Sequence, residues 1–171
     1  MSLTAARPLK PWRWLMLPAL MAIGATYLFA APLHIFGLRL PEPVFAMVPA
    51  FAWAVIRPSV LAPFGVLVLG VFLDLFWGGP MGLWGLSLLS AYAVALTMRN
   101  MMTGQSRPMM WAWFAGAAGV AMLAGYLFSM LDSLAQPSIL AVFWQFLATV
   151  LLFPFAHRLI DRFEDADVRF R

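Results

Sequence analysis

Six apolar runs follow one another along this chain with only short polar breaks between them: Trp14–Ala31, Pro43–Ile56, Ser59–Trp77, Gly82–Met98, Met109–Leu131 and Ile139–Ala156. A helix needs about 20 mostly apolar residues to cross ~30 Å of hydrocarbon, and most of these runs reach or approach that length. The rest of the chain cannot offset them. With 64% hydrophobic and 11% charged residues in 171, there is too little polar side chain to cover a water-soluble domain. The sequence predicts an all-α integral membrane protein, a bundle of six transmembrane helices, with residues 1–171 as one domain. The second run is short. At 1.5 Å per residue it covers only ~21 Å, so it must thin the bilayer, extend into Glu42, or pack inside the bundle.

The basic residues orient the bundle. Arg7, Lys10 and Arg13 precede the first run, Arg57 separates the second and third, Arg99 and Arg107 separate the fourth and fifth, and Arg158, Arg162, Arg169 and Arg171 come after the sixth. Arg39 stands alone on the other side. The positive-inside rule then predicts both termini in the cytoplasm, as an even number of spans requires. The net charge of +4 is a consequence of this topology and is no nucleic-acid footprint. The stretch RPLKPWRW before TYLFAAP has the outline of a cleavable signal peptide. The chain beyond Pro43 is again apolar, however, with no soluble domain to be secreted, and the first run is expected to be retained.

Several chemistries find no residues here. There is no cysteine, and His34 and His157 are isolated, so no metal site is expected. The chain has no Gly-rich phosphate loop, no serine–histidine pair in register and no paired intramembrane carboxylates. Neither enzymatic activity nor a cofactor is expected.

One acid does sit inside a predicted span. Asp74 lies in VLGVFLDLFWGGPMGLWGL, four residues before Gly78-Gly79-Pro80, and intramembrane acids are functional candidates by default. Pro63, Leu67, Gly70, Asp74 and Trp77 share one helical stripe, and a glycine one turn from the acid lets another helix come close. Trp77 and Trp84 bracket the turn as an interfacial aromatic belt would. That places Asp74 only ~4.5 Å inside the outer boundary. Three roles are open to it: reaching headgroups or capping backbone amides of the turn; contacting a helix of this protein or of a partner; or binding a ligand or proton. Arg57 is ~25 Å away along the helix, at the opposite face, so Arg39 is the expected internal neighbour.

Weaker signals complete the reading. Gln145 and Thr149 lie one turn apart and are placed to hydrogen-bond across helices. Ala117, Ala121 and Gly125 form a small-residue ladder suited to a close helix contact. In the tail, residues 157–171, Leu159, Phe163, Ala166 and Phe170 share a face between charges of both signs. This predicts an amphipathic helix at the inner surface or against a cytoplasmic partner.

Arg57-Pro58 opening the third span, then Gly65, Gly70 and Asp74, then Gly78, Pro80, Gly82 and Leu83, resembles the rod shape-determining MreD family. The preceding LPEPVFAMVPAFAWAVIRPS resembles that family's second span. The resemblance covers Leu40–Leu96; the remaining spans match in length and hydropathy. It implies a non-enzymatic inner-membrane scaffold of the bacterial elongation machinery. Such proteins bind MreC and act with the MreB filament, RodA and its transpeptidase to guide peptidoglycan synthesis. It also implies a fold similar to the substrate-binding components of energy-coupling factor importers, so a small-molecule-binding membrane subunit is the alternative. Arg57, Pro58, Gly70, Asp74, Gly78, Pro80 and Gly82 are the expected partner-binding or structural residues; Ala117, Ala121, Gly125 and Gln145 are expected in helix packing from their own spacing, and membrane lipid is a further expected partner.

Overall fold

The computed structural model describes residues 12–30, 34–35, 38–39, 42–56, 59–133 and 138–168. Apart from a minimal antiparallel hairpin, β1 (His34–Ile35) and β2 (Leu38–Arg39), the architecture is all-helical. Six helical rods run through it. A π-helical turn, Trp12–Met16, leads into α1 (Leu17–Phe29); α2 (Met47–Ile56), α3 (Leu61–Trp77), α4 (Leu83–Met102) and α5 (Arg107–Ser133) come next. The sixth rod is bent into α6 (Ile139–Val150) and α7 (Phe153–Val168).

The short second run is resolved by burial. Met47, Ala50, Phe51, Ala52, Trp53 and Ala54 have no exposed surface, and α2 is packed against α1, α3, α4, α5 and α7. Only the last ten residues of the predicted span are helical. Glu42–Ala46 enters as a non-helical segment, since Pro43 biases the residue before it towards extended backbone. Pro49 is tolerated because it lies in the first turn of α2.

Prolines also explain both irregular rods. A proline within a helix removes the hydrogen bond to the carbonyl four residues back. Pro18 leaves the Trp14 carbonyl free, and Trp53 Nε1 of α2 donates to it at 2.9 Å. Pro154 leaves the Val150 carbonyl free, and Trp111 Nε1 of α5 donates to it at 3.2 Å. Two indoles thus satisfy the carbonyls that two prolines orphan. The chain turns at Leu151–Leu152, and α7 runs through the last turn of the sixth predicted span without a stop at residue 157. Phe153, Ala156 and Ile160 are its buried positions among the described side chains; Phe163, Ala166 and Phe170 lie outside them.

Large apolar side chains face outward as well as inward. Leu28, Val68, Leu75, Leu131 and Phe143 are exposed, Leu131 by 78%, whereas Thr26, Asp74, Ser87 and Thr149 are buried. Each of these four residues has a partner, Thr26 and Ser87 donating to the carbonyls of Ala22 and Leu83, one turn back, at 2.9 and 2.7 Å, whereas among the described residues Trp113 Nε1 and both His157 ring nitrogens are buried without a hydrogen bond. Two rods, Arg107–Leu131 and Ile139–Arg162, are long and apolar enough to cross a membrane.

Candidate functional site

The stretch that carries the sequence motif folds into a joint between α3 and α4. It begins with glycine geometry. Gly78 adopts a left-handed conformation, φ 65 and ψ 28, and its N–H donates to the Asp74 carbonyl. Gly79 N–H donates to the same carbonyl at 3.1 Å. This is a Schellman ending, in which a glycine without Cβ strain satisfies the last carbonyls of a helix. Gly82, at φ 95, is the N-cap of α4. Pro80 lies between them and accepts from Leu83 N–H at 3.2 Å.

A helix that starts on glycine has no side chain of its own to cap its first amides. Asp74 supplies the missing acceptors from the preceding helix. Its Oδ2 accepts from Gly82 N–H at 2.7 Å, and its Oδ1 accepts from Trp84 N–H at 2.9 Å. One carboxylate thereby caps both the N-cap and the N2 amides of α4. Its two oxygens also lie at the positive end of the α4 dipole. Asp74 is only 1% exposed. Of the roles open to it, capping the amides beyond the turn is the one this geometry describes. The expected Arg39 contact concerns a side chain outside the described ones, and Arg57 and Pro58 lie outside the described residues.

Gly70, one turn below, faces the same helix. A Cβ there would overlap Gly85 Cα and N and stand 2.9 Å from the Trp84 carbonyl carbon. The two backbones touch. The Gly70–Asp74 stripe is therefore covered by α4 of the same chain. Gly65, a turn and a half further back, faces Trp53: a Cβ would stand 3.0 Å from its ring.

A second set of bonds ties this end of the bundle to α6. Trp77 and Trp84 rings lie 4.8 Å apart, and Trp77 Nε1 donates to Glu42 Oε2 at 2.9 Å. Gln145 Nε2 donates to the Glu42 carbonyl at 3.3 Å. Thr149 Oγ1 accepts from Val44 N–H at 3.0 Å and donates to the Gln145 carbonyl at 2.7 Å. Gln145 and Thr149 do bond across elements, but to the backbone of the non-helical Glu42–Val44 segment. In the sequence Glu42 stands out only as a residue into which the short second span could extend; its bonds to both α3 and α6 have no local signal. Ala117 and Ala121 are fully buried. At Gly125 a Cβ would stand 2.9 Å from Ser87 Oγ of α4, so the ladder marks the α4–α5 contact.

At the other end of the bundle, Arg99 Nε of α4 donates to the Val55 carbonyl at 3.1 Å, closing the last turn of α2. Among the described residues no group of three His, Asp or Glu could hold a metal ion. The Asp74 oxygens are committed to backbone amides and Trp77 Nε1 to the Glu42 carboxylate, and what these groups do chemically is fix the relative position of α3, α4, α6 and the α2 approach.

No protein-family model, curated protein or solved structure matches the chain.

Proposed function

We propose that this chain is a non-enzymatic scaffold of the bacterial inner membrane, a six-span bundle with both termini in the cytoplasm, that binds MreC. With MreB, RodA and its transpeptidase it helps position peptidoglycan synthesis in rod-shaped cells, as the resemblance implies. The membrane part is supported by the exposed large apolar side chains, by the internal bonds of Thr26, Asp74, Ser87 and Thr149, since hydrocarbon demands that polar groups be satisfied internally, and by the basic residues concentrated on one side. The observation that carries a scaffold over a carrier of polar substrate is the joint itself. Asp74, the one acid in the apolar interior of a span, has both oxygens on backbone amides of α4 and thus stiffens the bundle.

With the Gly70–Asp74 stripe covered by α4, we propose that MreC docks on the exposed apolar faces of the bundle. The test is depletion in a rod-shaped host, with affinity capture of MreC. The expected outcome is rounding of the cells and co-purification of MreC with the wild-type protein. Normal rods combined with a vitamin auxotrophy would overturn the scaffold in favour of the importer subunit. Asp74→Ala is expected to reduce capture of MreC only in proportion to the loss of folded protein.

A further inference from the structure

We infer that the groove between α1 and α7 seats one acyl chain of an anionic glycerophospholipid, with its phosphate on Arg158 and Arg162. This rests on the membrane reading above but not on the role in elongation. The groove encloses about 500 Å³, within the usual range for ligand sites. Its walls are apolar: Leu17, Met21 and Ala25 of α1, Phe45 ahead of α2, and Phe155 and Leu159 of α7. Its charged lining residues are Arg158 and Arg162.

Dimensions match an acyl chain in one leaflet. The α1 wall from Leu17 to Phe29 is ~18 Å long, slightly more than the ~15 Å of half a hydrocarbon core. Ile139 to Arg158 is a helical rise of ~28 Å. A rod that begins at one boundary therefore brings Arg158 to the headgroup level of the other. That end carries the cytoplasmic excess of basic residues, and the cytoplasmic leaflet is the anionic one.

Charge points the same way. Arg158 and Arg162 are one turn apart on one face and exposed. The acid between them, Asp161, lies 3.4 Å from His157 Nδ1, close but without hydrogen-bond alignment. Among the described residues neither arginine has an ion-pair partner. Two guanidinium forks a turn apart suit the several oxygens of a phosphate. In phosphatidylethanolamine that phosphate is partly neutralised by its own ammonium, so a net-anionic headgroup is preferred. Arginines that merely extend to the interface would show the headgroup preference without needing the groove.

Native mass spectrometry of the full-length, delipidated protein in mild detergent separates these cases, with phosphatidylglycerol or phosphatidylethanolamine added. We expect one phosphatidylglycerol per chain, at lipid concentrations about tenfold below those needed for phosphatidylethanolamine. Arg158→Gln with Arg162→Gln should abolish that preference. Ala25→Trp, or Met21→Trp as a second filling variant, should remove the adduct of both lipids while leaving both arginines in place. Equal binding of the two lipids by wild type, or adducts unchanged in the arginine pair or in both filling variants, would overturn the site. Carbonate extraction of cell membranes distinguishes the underlying reading: a chain that stays in the pellet but takes up no lipid loses only the lipid site, whereas a chain that is released loses the membrane assignment as well.

Discussion

The α3–α4 joint and the α1–α7 groove are two ways for helices of one bundle to lie side by side. At the joint, side chains are absent where the backbones meet. Gly70 lies against Gly85, and an acid from one helix caps the first amides of the next. At the groove, Phe29, Phe155 and the arginines line open space. The joint depends on atoms being in one place. The groove depends on atoms being absent, and so tolerates change.

The sharpest way to break this contrast is to add the same methyl group at the joint and on α1, the helix that forms one wall of the groove. Gly70→Ala drives Cβ into the α4 backbone, which has no rotamer to yield, and should cost about 3 kcal/mol, the upper end of overpacking penalties. Gly24→Ala in α1 meets nothing within 4 Å and should be neutral or stabilise by up to about 1 kcal/mol through helix propensity. Thermal melting in detergent reads both; equal shifts would erase the distinction.

Next in size is Asp74→Ala. It leaves two amides at the start of α4 without acceptors, at a cost of about 2 kcal/mol, and Asp74→Asn should fall between it and wild type by the same measurement. If Asp74→Ala melts like wild type, the joint does not rest on its cap. The smallest effect is expected for Trp111→Phe, about 1 kcal/mol, from the unsatisfied Val150 carbonyl. Trp111 is 47% exposed, so little packing is lost. Hydrogen exchange should rise at Leu151–Leu152, where the bent rod sets the position of α7 opposite α1, and not at Gly78–Gly82.

Much of this fold is legible along the chain, for a physical reason. Apolar runs punctuated by Gly78-Gly79-Pro80 and similar breaks mark where helices begin and end, and α3 and α5 lie close to where their runs place them. Hydropathy alone carries the sixth run straight through Pro154, although a proline in a helix interior opens the ladder. The compensating donor, Trp111, stands on another helix and leaves no mark near the proline. Asp74 poses the same difficulty. Capping the turn is among its open roles, and an α4 start of Gly82-Leu83-Trp84, with no acceptor of its own, is the local sign that favours it. Choosing among partners requires knowing which backbone lies opposite, and that depends on Gly70 meeting Gly85, fifteen residues later in sequence.

The enclosure of α2 has a consequence in time. Val44 N–H, at the approach to α2, is satisfied by Thr149, 105 residues later. At about 5–20 residues per second, that partner is synthesised roughly 5–20 s after Val44. The walls formed by α4, α5 and α7 likewise come after α2 in order of synthesis. During that interval a ten-residue helix, ~15 Å long, has neither the length to span a bilayer nor the neighbours that enclose it. The nascent chain must therefore hold its most central element in a provisional place until its last rod arrives.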